Sequence, residues 1–307
     1  MLKNTVEKLF YESQSKGTGL LAAGFMDLAT GETAFINENA PVPMASVYKV
    51  FVLAELFRLQ KEGKLSLQDK HILQESEKSI GSGTLESAAV GTEFSLMDYV
   101  MLMMSISDNT ATDYLVGLAG LENVRDHILI PLGLDATKCY FNCIDLLTRY
   151  YGVTVEEYRE QCKQDTWFDA HMNPFFRCEE KENNQTSPKD MVRFFELLYK
   201  GQVVDGESDR EMLGIMAQCQ TNSRIPAKLP ADVTVAHKTG SIDHLANDAG
   251  IVYTDKGDYI LALFYNGNVG SREEYEASEF SAHGTNLLSE LSYDIYQAYC
   301  NHKEDSK

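Results

Sequence analysis

The chain has 307 residues, 44% of them hydrophobic, enough for one large domain or two intertwined ones around a substantial core. Its 27 Lys and Arg against 46 Asp and Glu give a net charge of −19, which repels nucleic acid and anionic membrane surfaces. Six scattered cysteines match no zinc spacing and need no disulfide framework, so they read as reduced thiols, with no metal or cofactor expected.

The first residues lack the charged, apolar and small-residue order of an export signal. As it stands the chain is expected in the cytoplasm, or outside the cell if such a signal has been trimmed. Leu2, Val6, Leu9 and Phe10 place an apolar stripe on a first helix that Gly17 closes. Gly19 to Asp27 and Glu32 to Asn37 read as two strands joined by a tight turn at Thr30-Gly31. The apolar run Leu20 to Phe25 is too short to span a bilayer. A helix follows through Val50, Phe51, Leu53, Ala54, Leu56, Phe57 and Leu59, and ends near Gly63. Ser95 and Asp98 form a capping box before a very apolar helix, and a further helix starts at Asn109 and runs toward Gly120.

Asn142 to Phe176 is weakly patterned, with a short helix at Leu146, Leu147, Tyr150 and Tyr151. Ser187-Pro188 caps the next helix, closed by Gly201. Three strand-like runs come near the end: Val233 to Lys238, Ala249 to Thr254 and Tyr259 to Tyr265. Asp255 to Asp258 makes the turn between the last two, and a final helix covers roughly Glu273 to Tyr299. Strands from both ends can build one five-stranded antiparallel sheet flanked by helices. The expected layout is an α/β domain from 1–42 and 187–307 with an inserted all-α domain at 43–186, and a site between them.

Three stretches carry chemistry. Ser46 and Lys49, in Met44-Ala45-Ser46-Val47-Tyr48-Lys49, stand one helical turn apart at the start of the apolar helix. A serine hydroxyl needs a base to become a nucleophile, and a lysine of lowered pKa can serve. Backbone N–H groups at that end favour negative charge beside the serine. Alone, the pair describes a capping serine and a surface lysine. Ser107-Asp108-Asn109 lies in the joint between two helices, and Lys238-Thr239-Gly240-Ser241 ends a strand. Together, Lys49 can activate Ser46 and Ser107 can pass a proton to a leaving nitrogen. Lys238 supplies positive charge, Thr239 and Ser241 offer hydroxyls to a carboxylate, and the strand edge helps form an oxyanion hole. This is acyl transfer by serine without histidine.

In that order, at separations of 61 and 131 residues, the three stretches resemble the Ser-x-x-Lys, Ser-Asp-Asn and Lys-Thr-Gly signature of class A β-lactamases and penicillin-binding proteins. Asp27 to Glu32, Gly81-Ser82-Gly83-Thr84-Leu85 and Arg224-Ile225-Pro226-Ala227 resemble further segments of the family. The resemblance implies that Ser46 is acylated, with Lys49 as base and Ser107 as proton shuttle. It implies that Asn109 binds the substrate side-chain amide, and that Lys238, Thr239, Gly240 and Ser241, together with Arg224, hold the carboxylate. The backbone N–H groups of Ser46 and Ser241 would form the oxyanion hole. A small-molecule substrate and a monomer are the expected partners, with no nucleic acid and no membrane.

The chain departs from the family at the deacylation loop. The family's Glu-x-x-Leu-Asn is absent ahead of Thr186-Ser187-Pro188, and its nearest counterpart is Asp169-Ala170-His171-Met172-Asn173. Asp169 is the candidate base and Asn173 a candidate substrate contact. An acid among Glu179, Glu180 and Glu182, or no base at all, are the alternatives. Asn184 stands where the family's loop-clamping Asp is expected, and His237 is expected to face solvent. The expected function is hydrolysis of the β-lactam amide through a Ser46 acyl-enzyme, with slow release. A peptidase or esterase acting on a non-antibiotic acyl donor, and a non-turnover binding or sensor module, are the alternatives.

Overall fold

The computed structural model describes residues 2–163, 174–178, 182–269 and 282–305. Its centre is a five-stranded antiparallel sheet built from β1 (Leu20–Asp27), β2 (Thr33–Ile36), β7 (Thr234–Ile242), β8 (Leu245–Thr254) and β9 (Gly257–Asn266), in the order β2-β1-β9-β8-β7. The first and last parts of the chain meet where β1 pairs with β9 from Leu20↔Asn266 to Asp27↔Tyr259.

Side chains alternate across a strand, and here both faces are covered. On one face Leu21, Ala23, Phe25, Leu261 and Leu263 pack against Leu2, Val6 and Phe10 of α1 (Leu2–Lys16) and Leu288, Leu291 and Ile295 of the last described helix. On the other face Ala22, Ile251, Ile260, Ala262 and Phe264 join Met191, Phe194 and Phe195 in the main core. Strands buried on both sides have no polar stripe to show, so β1 and β9 read as continuous apolar runs.

The helices, in chain order, are α2 (Lys49–Lys61), α3 (Leu96–Ser105), α4 (Asn109–Ala119), a short α5 (Leu121–Asn123), α6 (Cys143–Tyr151), α7 (Val155–Lys163), a short α8 (Pro174–Arg177), α9 (Pro188–Tyr199), α10 (Gly206–Met216) and α11 (Ala282–Asp305). No described helix is long and apolar enough to cross a membrane. Helix α2 is buried on nearly every side through its first nine residues, including Glu55, whose carboxylate pairs with Arg58 at 2.6 Å. Burial all round fixes the helix axis, and with it whatever stands at its leading end.

The middle of the chain is not purely helical. β3 (Val42–Pro43) pairs with β6 (Gln185–Thr186), and β4 (Lys70–Ile72) with β5 (Glu93–Ser95). The first ribbon ties the approach to Ser46 to the segment that enters α9. Strand β7 also runs past Lys238, its expected end, to Ile242. The bonds continue because Asp243 adopts φ 48° in a two-residue turn that brings Leu245 opposite Ile242. The Lys238 to Ser241 stretch therefore lies inside a strand.

Candidate active site

Ser46 sits in a 3-10 turn, Ala45–Tyr48, that leads directly into α2. Its neighbours Ala45, Val47 and Tyr48 are buried, while Ser46 is half-buried and lines a cleft of about 320 Å³. Ala45 takes φ 44°, a left-handed value that side chains other than glycine avoid, so the turn is strained where the serine is presented. Ser107 is likewise held at φ 60° in the joint between α3 and α4.

That joint is built by its neighbours. Asp108, fully buried, caps α4 by accepting from the Ala111 N–H at 2.9 Å, and its other oxygen accepts from Thr84 and Leu85 at 2.6 and 2.9 Å. The chain at Gly83 passes so close that a Cβ there would lie 2.3 Å from the Asp108 carboxylate, and its φ of 123° also demands glycine. Ser82 thereby reaches the site: its hydroxyl donates to the Ser107 carbonyl at 2.8 Å, and its own carbonyl accepts from the Asn109 N–H at 2.8 Å.

The two lysines converge on Ser107. Lys49 Nζ donates to the Ser107 carbonyl at 2.8 Å, to Ser107 Oγ at 3.1 Å and to Asn109 Oδ1 at 2.9 Å. Lys238 Nζ donates to the same Oγ at 3.1 Å and to the Thr239 carbonyl at 2.8 Å. Both lysine side chains are fully buried. Burial pushes Lys49 below its ordinary value, with Cys143, Asp113 and Asp108 opposing. Burial and then the Lys49 ammonium bring Lys238 down to about 7. An arrangement of this kind can hold one proton between two amines and a hydroxyl.

Strand β7 forms the opposite wall. A Cβ on Gly240 would lie 2.4 Å from the Met44 carbonyl and 3.2 Å from the Ser46 backbone nitrogen, so only glycine lets the strand approach the turn this closely. Asn247 on β8 fastens the same turn, donating to the Pro43 and Met44 carbonyls at 2.8 and 3.1 Å. Arg224 is buried rather than open: its guanidinium donates to the Gly240 and Asn247 carbonyls at 3.0 and 2.6 Å and to Ser241 Oγ. It acts on the cleft through Ser241, which is exposed and lines it, while Thr239 is buried. Asn109 lines the cleft, and its Nδ2 donates to the Ile80 carbonyl at 2.8 Å, leaving the second amide hydrogen for a ligand. The remaining wall comes from Leu146, Leu147, Tyr151 and Tyr158 of α6 and α7.

One expectation is corrected, and one of the alternative acids is located. His237 does not face solvent: it is 1% exposed, and its Nδ1 lies 2.7 Å from Asp248 Oδ1, because the loop ahead of β7 covers that face of the strand. Glu182 does not reach toward Ser46; it lines a separate groove with Arg125, Lys138 and Tyr140. Asp169 and Asn173, with His171, Glu179 and Glu180, lie outside the described residues. At Asn184 a neutral amide serves as a clamp, accepting from the Tyr140 and Phe141 N–H groups at 2.7 and 3.0 Å and donating to the Phe141 carbonyl at 2.8 Å. Sequence reasoning missed Ser82, Asn247 and the α6–α7 wall. The glycines around Ser82 were the available signal for the first.

Comparison with known proteins gives the family and the fold. The chain matches the model of the beta-lactamase enzyme family over residues 1–299. It is 25% identical over 283 residues to a beta-lactamase of Bacteroides uniformis, covering 87% of this chain and 82% of that one. Among solved structures, a beta-lactamase from Sphaerobacter thermophilus superposes with a TM-score of 0.76 at 24% identity, covering 97% of this chain and 98% of the other. The structure titled PBP-A does so with a TM-score of 0.75 at 22% identity, covering 97% and 96%. With its sheet, its Ser46 turn and its paired lysines, the chain belongs to the beta-lactamase enzyme family.

Proposed function

We propose that the protein is a serine hydrolase of class A type that opens β-lactam rings through an acyl-enzyme on Ser46. The observation that carries this reading is the Ser107 hydroxyl held 3.1 Å from both buried lysine amines, beside the cleft that Ser46 lines. In the proposed acylation, Ser46 Oγ attacks the lactam carbonyl carbon and its proton passes to neutral Lys49. The carbonyl oxygen gains the negative charge, which the Ser46 and Ser241 N–H groups receive. On collapse the C–N bond breaks, and Ser107 gives its proton to the nitrogen while taking one from the lysine pair. An ester on Ser46 remains. Lys238, Thr239, Gly240, Ser241 and, through Ser241, Arg224 hold the substrate carboxylate, and Asn109 the side-chain amide. On this reading 43–186 acts as a helical domain set against the sheet domain of 1–42 and 187–307.

Hydrolysis of the ester requires a base for water, and Asp169 is our candidate, with Asn173 beside it. Asp is one methylene shorter than Glu, so its carboxylate falls ~1 Å short, a misplacement that costs about 100-fold. Slow release is therefore part of the reading. The altered loop also favours a second one, a penicillin-binding peptidase or esterase that keeps its acyl group far longer. Mixing the protein with a chromogenic cephalosporin while following intact mass separates them. Turnover without a lasting adduct supports the hydrolase, and a stable adduct supports the second reading. Neither adduct nor turnover sinks both.

A further inference from the structure

The cleft wall made by α6 and α7 takes no part in the acyl-transfer steps, yet the fold fixes it firmly beside them. Asp113, one helical turn after Asn109 on α4, accepts from the Cys143 and Ile144 N–H groups at 2.6 and 3.0 Å and from Ser79 Oγ at 2.6 Å. Those N–H groups open α6, so α4 carries both the Asn109 amide and the start of the wall. At the other end of α6, Tyr150 is buried in one apolar cluster with Phe175, Phe176, Ile242 and Leu245. Its ring backs Tyr151 at 4.5 Å, edge to face, and Tyr151 meets Tyr158 of α7 at 5.7 Å. Arg159 ties α7 to both sides of the Gly81 loop: Nη2 donates to the Lys78 carbonyl at 3.2 Å, and Nε lies 3.4 Å from Glu86 Oε1.

Gly81 shows how near this wall comes to the site. A Cβ there would lie 2.8 Å from Asn109 Nδ2 and 3.0 Å from Leu147 Cδ1, so the amide and the leucine flank a single point. A group carried on an amide held at Asn109 therefore meets Leu147, with Tyr151 and Tyr158 in the same cleft. None of the described residues lining the cleft is Asp, Glu, Lys, Arg or His, although the chain carries 46 acidic and 27 basic residues. Lys49 and Lys238 are fully buried, with their N–H groups directed at Ser107, Asn109 and the Thr239 carbonyl. A ring finds apolar and aromatic partners on this wall. A charge finds no counter-ion there and gives up water.

We propose that the α6–α7 wall is a subsite for an uncharged aromatic side chain on the acyl donor, and that it turns away donors charged at that position. The inference rests on the acyl-transfer reading above and narrows it: ring-bearing amides are accepted, and peptide donors with ionised side chains at that position are not. Rejection comes from lost hydration, so it is the same for either sign of charge. The field of a chain with net charge −19 would act otherwise, favouring an ammonium and repelling a carboxylate.

The test compares three penicillins that share the nucleus, its carboxylate and a phenyl ring. Benzylpenicillin is neutral on the carbon beside the ring, carbenicillin carries a carboxylate there, and ampicillin an amine, assayed below its pKa so that it is an ammonium. Intact mass follows the second-order rate of acylation. Both charged donors are expected to fall about tenfold or more below benzylpenicillin. Equal rates for all three, or a loss for one sign only, overturn the inference and leave the acyl-transfer reading standing. A protein acylated by none of them sinks both. Leu147→Lys, with its fold checked by circular dichroism, puts a counter-charge on the wall and should bring carbenicillin to within about threefold of benzylpenicillin while ampicillin stays low. A folded variant with unchanged ratios overturns the placing of the side chain against Leu147. Where the variant fails to fold, the wild-type series decides alone.

Discussion

Replacing Lys238 with methionine removes one of two buried amines that share the Ser107 hydroxyl. Each amine lies 3.1 Å from Ser107 Oγ, which bounds their separation. Two unit charges about 6 Å apart repel by about 3 kcal/mol at an effective dielectric near 20. That repulsion corresponds to about two pKa units. Burial lowers both lysines, and at Lys238 the Lys49 ammonium adds to it. A base role needs Lys49 neutral, and without Lys238 the remaining lysine keeps its proton more tightly. We expect the acid limb of the acylation profile to move up by about one to two pH units in Lys238→Met. Stability moves differently. An apolar side chain in place of a buried charge is neutral or stabilising by about 1–4 kcal/mol, so the variant should melt at or above the wild type. In the wild type the folded Lys238 pKa is depressed from 10.5 to about 7, so the unfolded chain binds more protons across that window. Stability should rise with pH there, and the variant should lack that part of the rise. Quenched-flow mass spectrometry with penicillin gives the limb, and thermal melts at several pH values give the rest. An acid limb that stays in place would refute the paired-lysine argument.

Further outcomes follow from single contacts. Gly240→Ala drives a methyl against the Met44 carbonyl, and should destabilise the fold by about 1–3 kcal/mol and slow acylation by displacing β7 from the Ser46 turn; an unchanged melting temperature and rate would contradict the close approach. Ser82→Ala removes the donor to the Ser107 carbonyl, worth about 1 kcal/mol, so kcat/KM should fall about fivefold with little change in melting. Tyr158→Ala opens the cleft wall beside Tyr151, where the two rings lie 5.7 Å apart, and should raise KM about fivefold for a phenylacetyl substrate. KM for a substrate with no side-chain ring should barely change, and equal effects on both would discount the wall.

How much was readable in the chain depends on how local each feature is. Ser46-x-x-Lys49, Ser107-Asp108-Asn109 and Lys238-Thr239-Gly240 are short runs, and their order suffices to bring them together once the five-stranded sheet forms. The capping residues Ser95, Asn109's neighbour Asp108 and Ser187 were equally local, and each side chain accepts the backbone N–H three residues on. His237 was misjudged for the opposite reason. Lys238 had to point toward Ser107, which sends His237 to the other face of the strand. Whether that face is wet depends on Asp248 and on the loop carrying Asn222 and Arg224, and no residue near His237 in the chain reports either. The same limit hid the β3–β6 ribbon, whose partners Val42 and Thr186 are far apart in sequence, and Glu182, whose groove is made with Arg125 and Lys138. The α6–α7 wall was only half visible: Leu146, Leu147, Tyr150 and Tyr151 showed a helical stripe, whereas α7 is too polar to show one.

The central claim is that Ser46 becomes acylated. The direct measurement is proteolytic peptide mapping of the protein after a brief exposure to benzylpenicillin and an acid quench. The account predicts the mass of the intact penicillin added to the peptide that carries Ser46, located on that residue by fragmentation and lost in Ser46→Ala. An adduct on any other residue, or one that persists in Ser46→Ala, would contradict it.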